Sequence, residues 1–133
     1  MVSIILALQR ATHVTLTQIG RELADLHLSP SEINVLANLA DGEDRTVTVL
    51  SQAVGSRPTT LTGVLDRLEG RALITRTAHP GDRRAVLVSL TPAGQETADR
   101  VRAAVSEVER RALAGLPPES VTAALDVLKA LAQ

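Results

Sequence analysis

Residues 74 to 90 form two β-rich runs on either side of a Pro-Gly turn, and no other stretch limits the fold as strongly. The first run is ITRTAH, the second is AVLVSL, and the five residues PGDRR between them are the predicted loop. Gly81 is free to adopt a positive φ in that loop, because glycine has no Cβ to hinder it. The pattern predicts a β-hairpin with Arg83 and Arg84 at its tip.

A helix with one polar face is predicted directly before this hairpin, in RPTTLTGVLDRLEGRALI. Pro58 stands in its first turn, where a missing N–H has no consequence. Helical spacing predicts a buried stripe, which consists of Leu61, Val64, Leu65 and Leu68. The opposite face is short and polar; it consists of Thr59, Thr62, Gly63 and Asp66, flanked by Thr60 and Arg67.

Residues 2 to 27 predict one long helix, because their apolar residues cluster near the start and then recur at helical spacing. The cluster is Ile4, Ile5, Leu6 and Leu8, and the stripe is Leu16, Ile19, Leu23 and Leu26. The opening MVSIILAL has no basic segment before it, and it is short for a signal peptide and too short to cross a bilayer. We interpret it as the start of the helix.

The next helix has a complete start signal. Ser29 is the predicted N-cap, Pro30 occupies the first helical position, and Glu32 completes a capping box. Asp41 and Gly42 end the helix. Its inward face is predicted to consist of Ile33, Leu36, Ala37 and Ala40.

A shorter helix is predicted from about Thr48, in TVTVLSQAVGS, with Gly55 at its end. Its inward residues are expected to be Leu50, Ala53 and Val54. This helix, the turn GSR and the polar-faced helix have the order of a helix-turn-helix, in which the second helix lies in the DNA major groove. Short hydroxyl side chains suit that role because they allow close approach. A helical hairpin with a solvated polar face is the alternative interpretation.

A hairpin that follows a helix-turn-helix gives the order of a winged helix. The wing lies over the flanking minor groove, where the negative potential of A·T-rich DNA attracts an inserted arginine. This explains Arg83 and Arg84 at the tip, although an ordinary solvated turn remains the alternative. Asp82 is expected to hold a neighbouring arginine in one rotamer through a charge-assisted hydrogen bond.

Positive charge is concentrated in the middle of the chain, although the net charge of the whole is −1. Residues 57 to 84 hold six arginines against three acidic residues, whereas the stretches before and after are net acidic. Such a basic region attracts a polyanion, but a solvated charged face would look the same. The candidate DNA contacts are Arg57, Thr59, Thr60, Thr62, Arg67, Arg76, Arg83 and Arg84.

The chain resembles the MarR family of bacterial transcription regulators in its wing and in its polar-faced helix. The family's wing motif is Asp-x-Arg, an apolar strand and Leu-Thr-x-x-Gly, and it is matched by Asp82, Arg84, AVLVSL, Leu90, Thr91 and Gly94. The family's recognition helix often reads Thr-x-Thr and then Asp-Arg-Leu-Glu, and it is matched by Thr60, Thr62, Asp66, Arg67, Leu68 and Glu69. The resemblance covers about residues 9 to 100.

The resemblance implies that Arg84 enters the minor groove while Thr60 and Thr62 read the major groove. Three features depart from the family pattern. Gly63 replaces a basic or polar reader, Ala72 replaces a common glycine as a mild backbone change, and no aromatic residue is present. Because the family's pockets for phenolic effectors often use aromatic rings, a small-molecule effector of unknown identity is left open.

The terminal helices are predicted to form a homodimer. Thr91 caps a helix with Pro92 at its first position, and Pro117 and Pro118 separate it from another. Their apolar stripes exceed what a helix-turn-helix lobe can cover, and they are Val101, Ala104, Val105, Val108 and Ala112, then Val121, Ala124, Leu125, Leu128 and Leu131. These stripes pack on one another or, as we prefer, form a two-fold interface.

The predicted fold class is mainly α with a small β-hairpin wing, in one domain over residues 1 to 133. The DNA-binding lobe covers about residues 29 to 91, and residues 1 to 27 and 92 to 133 supply the dimerisation helices. The predicted function is a sequence-specific double-stranded DNA-binding regulator, a dimeric repressor on a palindromic operator. A winged-helix adaptor that binds protein and not DNA is the alternative, favoured by Gly63 and the net acidity.

Several function classes find no support in the sequence. The chain has no cysteine, and His13, His27 and His79 are scattered, so neither a metal site nor a catalytic constellation is predicted. The absence of Phe, Tyr and Trp argues against base stacking on aromatic rings. The chain is expected to be cytoplasmic, not an enzyme, and without a cofactor.

Overall fold

The computed structural model describes residues 2 to 133, and it is mainly α-helical with a small antiparallel sheet, as the sequence predicts. The elements in chain order are α1 (Ile4–Glu22), a 3₁₀ turn (Ala24–Leu26), α2 (Pro30–Leu39), β1 (Arg45–Thr46), α3 (Val47–Val54), α4 (Pro58–Gly70), β2 (Ile74–His79), β3 (Asp82–Leu90), α5 (Pro92–Leu113) and α6 (Pro118–Leu131). In residues 2 to 133, no helix combines the length and the apolar character that a membrane span requires.

The first helix is shorter than predicted, because α1 ends at Glu22 and not at residue 27. The chain continues through the 3₁₀ turn, and His27 then takes a left-handed conformation with φ 51°. Arg71 fixes this segment from across the molecule. Its guanidinium donates hydrogen bonds to the carbonyls of Leu26 at 2.8 Å and His27 at 3.1 Å. A contact between distant residues therefore holds the segment that follows the helix.

The capping box that begins α2 is confirmed. The Ser29 hydroxyl accepts from the Glu32 amide at 3.1 Å, and the Glu32 carboxylate accepts from the Ser29 amide at 2.9 Å. The α3 helix starts at Val47 with Thr46 as its N-cap, slightly earlier than predicted. Its inward face differs too: Ala53 is exposed, and Ser51 is buried instead, with its hydroxyl donating to the carbonyl of Thr48 at 2.9 Å.

The sheet has three strands in the order β1-β3-β2, one more than the predicted hairpin. β1 has only two residues, too few for a periodic signal, and it pairs with β3 through Arg45 and Val88. β3 begins at Asp82, so the predicted five-residue loop is reduced to a tight turn at Pro80 and Gly81. In the antiparallel pairing of β2 with β3, Arg76 lies opposite Val88, and the register shifts between Ala78 and His79.

The helix-turn-helix is held by a continuous apolar core. The predicted α4 stripe is confirmed: Leu61, Val64, Leu65 and Leu68 are all buried. They join Leu36 and Leu39 from α2, Leu50 from α3, and Val88 and Val101 from β3 and α5. Because one face of α4 is fixed in this core, its opposite face is held toward solvent.

Two backbone positions differ from what the sequence suggested. Gly81 does not use the positive φ that was open to it; the glycines with a positive φ are Gly42 at 82° and Gly55 at 73°. Ala72 has φ 59°, so its replacement of a glycine is not a mild change. A residue with a Cβ loses about 1–2 kcal/mol in the left-handed region. The strain is held by hydrogen bonds on both sides, from the Ala72 amide to Glu69 at 2.9 Å and from the Thr91 hydroxyl to the Ala72 carbonyl at 2.6 Å.

The start of α5 is packed against the strand that follows α4. Thr91 caps α5, as predicted, by accepting from the Gly94 amide at 2.9 Å. Its own amide donates to the carbonyl of Leu73 at 3.0 Å. Gly94 is buried, and a Cβ placed there would lie 1.8 Å from the Leu73 carbonyl oxygen. The Leu-Thr-x-x-Gly pattern thus describes a cap and a close backbone contact.

The terminal helices are only partly covered within one chain. α5 packs on α1 and α2 through Val101, Ala104 and Val108, which are buried. Ion pairs join Asp25 to Arg100 at 2.5 Å and Glu22 to Arg111. The hydrogen bonds from Arg100 hold the pKa of Asp25 below its usual range. α6 has no buried residue, and its leucines, with those at the start of α1, face solvent.

Candidate nucleic-acid interface

The polar face of α4 is exposed along its whole length. Thr59, Thr60, Thr62, Asp66 and Arg67 are exposed, and Gly63 is half-buried. The Thr62 hydroxyl donates to the carbonyl of Pro58 at 2.9 Å, so its oxygen lone pairs face outward as acceptors. Arg57 is the N-cap residue, and no side chain caps the first amides of the helix. This end of α4 therefore presents hydroxyl groups, free amides and a cation.

The wing tip is held by bonds from side chains to backbone. The Asp82 carboxylate accepts from the Arg84 amide at 2.9 Å, and the His79 ring nitrogen Nδ1 accepts from the Gly81 amide at 2.9 Å. Asp82 was predicted to bind an arginine side chain, but its carboxylate binds a backbone amide instead. A short aspartate side chain readily reaches the backbone two residues ahead. Asp82 thus contacts the main chain of Arg84.

A groove of about 630 Å³ separates the wing from α4 and α3. Its predicted residues are Thr62, Arg76, Arg83 and Arg84, and they come together as expected. Thr46 and Thr48 also line the groove, and the sequence analysis did not predict them. They lie at the start of α3, and nothing in the local sequence indicates that this helix start faces the wing. Leu65, Ala85 and Val86 supply apolar surface.

Arg76 is bound to two carboxylates of α4. Its Nη2 atom lies 2.6 Å from Asp66 Oδ1 and 3.1 Å from Glu69 Oε1, and its Nε donates to the other Glu69 oxygen at 3.3 Å. The hydrogen bonds from Arg76 hold the pKa of Glu69 below its usual range. The guanidinium links β2 to the recognition helix, and its Nε and Nη2 groups already have partners.

The other basic residues of the middle segment divide into two groups. Arg71 faces the 3₁₀ turn and donates to the carbonyls described above. The second group consists of four exposed arginines that form no ion pair within residues 2 to 133. They are Arg57 at the N-cap of α4, Arg67 on α4, and Arg83 and Arg84 on the wing. Of these four, Arg83 and Arg84 line the groove.

Comparison with known proteins identifies the fold and the family. The model of the MarR family matches residues 28–86. The transcriptional repressor MdtR of Bacillus subtilis (strain 168) is 31% identical over 106 residues, which cover 80% of this chain and 68% of MdtR. The structure of NadR in complex with 4-hydroxyphenylacetate has a TM-score of 0.88 at 25% identity and covers 100% of this chain and 94% of NadR.

A third relative was solved on DNA. The repressor CouR bound to a 23-mer DNA duplex has a TM-score of 0.79 at 30% identity and covers 98% of this chain and 93% of CouR. The relatives that match are transcription regulators, so the comparison favours the DNA-binding prediction over the adaptor alternative. This chain belongs to the MarR family and is a DNA-binding transcription regulator with a winged helix.

Proposed function

We propose that the chain is a dimeric repressor that binds a palindromic operator through the α4 face and the wing. The observation that carries this proposal is the exposed hydroxyl face of α4 beside a groove that Arg83 and Arg84 line. Arg57 and Arg67 are exposed at α4 itself, and none of the four arginines forms an ion pair within residues 2 to 133. These groups belong to α4, its N-cap residue and the wing, all parts of the winged-helix lobe, for which we propose residues 29 to 91. As a member of a bacterial family, the chain is proposed to act in the cytoplasm, at the nucleoid when DNA-bound.

The proposed roles follow from exposure and side-chain chemistry. Thr60 and Thr62 read base edges in the major groove, where Thr62 offers an acceptor to base amino groups. Thr59, Arg57, Arg67 and Arg83 contact phosphates, which position the protein without specifying sequence. Arg84 enters the narrow minor groove beside the wing. Asp82 fixes the backbone from which the Arg84 side chain extends.

The dimer is proposed to form through residues 1 to 27 and 92 to 133. Large apolar side chains are exposed at both ends of the chain, for example Ile4 at 57% and Leu125 at 51%. A second groove, of about 640 Å³, lies along α1 and is lined by Leu6 and Val14 among others. A two-fold dimer covers such surfaces on both copies at once, and it sets the two recognition helices in a symmetric pair.

A small organic effector is also part of the proposal. NadR, which covers this chain completely in structure, was solved with 4-hydroxyphenylacetate. The present chain has no Phe, Tyr or Trp, so aliphatic and polar side chains must form any such site. We assign neither a ligand nor a set of contact residues to it.

Selection of DNA fragments by the purified chain tests the proposed function. We expect an enriched symmetric site whose half-site centres lie about 34–36 Å apart, one helical turn, because protein symmetry imposes operator symmetry. Affinity is expected to fall steeply with salt, by roughly 0.9 logarithmic units per tenfold salt for each phosphate neutralised. Enrichment of no symmetric site, or affinity that is insensitive to salt, contradicts the proposal.

The wing arginines are expected to differ in their contributions. Arg84→Ala should lower affinity for the selected duplex by about 10- to 100-fold, the effect of losing an inserted arginine, and Arg83→Ala should lower it less. Asp82→Ala should also weaken binding, although it removes a negative charge, because it frees the Arg84 amide. Fluorescence anisotropy with a labelled duplex measures all three variants.

A double variant and a stability measurement serve as controls for this prediction. Adding Asp82→Ala to Arg84→Ala should cause no further loss, since residues that act together are non-additive. Each variant should unfold within about 0.5 kcal/mol of the unsubstituted chain, because these positions are exposed. Tighter binding by Asp82→Ala would contradict its orienting role, and equal losses at Arg83 and Arg84 would show that the wing acts only as diffuse charge.

A further inference from the structure

Arg76 pairs with two acidic residues of α4, beside the proposed DNA contacts, where negative charge opposes the binding of phosphate. Asp66 and Glu69 are three positions apart on the exposed side of α4, and their side chains are 59% and 44% exposed. Positions with that spacing are neighbours on one side of a helix. Asp66 belongs to the face that also carries Thr59, Thr62 and Gly63. Two free carboxylates here would repel the phosphates that the neighbouring arginines attract.

The Arg76 side chain differs from the other cations of the interface. It is only 23% exposed, and it comes from β2 and not from α4. A planar guanidinium binds carboxylates through several fixed N–H groups, and here it donates to three oxygens of two acids. The same contacts join the wing hairpin to the recognition helix, so a residue from outside α4 neutralises charge on it.

We propose that Arg76 is a positioning residue for DNA binding that acts by masking the charge of Asp66 and Glu69, without contacting phosphate itself. This inference rests on the proposed DNA-contact surface. It replaces the direct DNA contact predicted for Arg76 from the sequence. It also explains why α4 tolerates two acids, since the three side chains together carry one net negative charge instead of two.

A double-mutant cycle separates this role from a direct phosphate contact. If Arg76 acts through the acids, its removal matters only while the acids are charged. If Arg76 contacts phosphate, neutralising the acids frees it for that contact. Arg76→Ala then lowers affinity at least as much as it does when the acids are charged. The two mechanisms therefore predict opposite results for Arg76→Ala in a background of Asp66→Asn with Glu69→Gln.

The experiment measures affinity for the selected duplex at low and at moderate salt. Arg76→Ala should weaken binding about tenfold, and the loss should shrink as salt screens the exposed carboxylates. Asp66→Asn with Glu69→Gln should bind at least as tightly as the unsubstituted chain. Adding Arg76→Ala to that pair should change affinity less than twofold. Arg76→Lys, which retains the charge without the planar fork, should restore part of the loss.

A matched control and a DNA-free measurement complete the test. Arg110 binds Glu107 through two hydrogen bonds on α5, away from the groove, so Arg110→Ala should leave affinity within about twofold. In the free protein, nuclear magnetic resonance should show the pKa of Glu69 rising toward its usual value when Arg76 is replaced, because the hydrogen bonds that lower it are lost.

The outcomes distinguish this inference from the proposed function. A tenfold loss from Arg76→Ala that persists in the Asp66→Asn, Glu69→Gln background overturns the inference alone and assigns Arg76 a direct contact. A Glu69 pKa that does not respond to Arg76→Ala overturns it too, because the ion pair is then absent. Failure of the unsubstituted chain to bind any duplex overturns the proposed function, and the masking role with it.

Discussion

Gly94→Ala is expected to destabilise the fold by about 3 kcal/mol or more, a large part of the 5–15 kcal/mol that a domain of this kind has. A Cβ at this position meets the Leu73 carbonyl oxygen at 1.8 Å, and the Leu73 carbonyl carbon at 2.8 Å. Both are backbone atoms, so no side-chain rotation relieves the overlap. The start of α5 has to move, which also breaks the cap that Thr91 provides.

Denaturant unfolding followed by circular dichroism measures this loss. Gly20→Ala is the matched control, because Gly20 lies within α1 with open space where its Cβ would be. That control should gain up to about 1 kcal/mol from the higher helix propensity of alanine. If Gly94→Ala unfolds within about 0.5 kcal/mol of the unsubstituted chain, the close contact between α5 and Leu73 is wrong.

The proposed dimer is expected to dissociate when charge is placed on α6. Leu125 and Leu128 are exposed in the single chain, at 51% and 39%, and α6 has no buried residue. Leu125→Glu with Leu128→Glu therefore leaves the lobe intact but removes four leucines from a two-fold interface. At about 1.5 kcal/mol or more for each buried leucine, the dissociation constant should rise by more than 1,000-fold.

Analytical ultracentrifugation at micromolar concentration gives the measurement. The unsubstituted chain should sediment as one dimeric species, removal of residues 1 to 12 should weaken it, and the double glutamate variant should be monomeric. Lys129→Ala on the same helix is the control and should remain dimeric. A folded, stable monomer of the unsubstituted chain would disprove the dimer, and a dimeric glutamate variant would exclude α6 from its interface.

Features that depend on local chemistry were predictable from the sequence. Ser29 and Glu32 make the capping box because both partners lie within one turn, and the α4 stripe is buried because its spacing admits one inward face. The strand that leads to Leu90 and the cap at Thr91 followed in the same way. These elements define the winged helix, so the fold class and the location of the candidate site were within reach of sequence reasoning.

Features that depend on distant partners were not predictable. Arg76 has the same residue type as Arg84, and only the approach of β2 to α4 brings it to Asp66 and Glu69. The carbonyls of Leu26 and His27, after α1, are bound by Arg71, more than forty residues away. Ala72 shows the limit most clearly, because its positive φ follows from hydrogen bonds around it and not from its own preference.

Arg71 also joins the recognition helix to the segment that follows α1. It anchors the end of α4 to the carbonyls of Leu26 and His27, while Arg100 anchors Asp25, next to them, to α5. The recognition helix is thus connected, through the segment that holds Asp25, Leu26 and His27, to the helices that we propose form the dimer. In a two-fold assembly, the angle at which those helices cross sets the distance between the two recognition helices. That distance then determines the half-site spacing of the operator that the proposed dimer can bind.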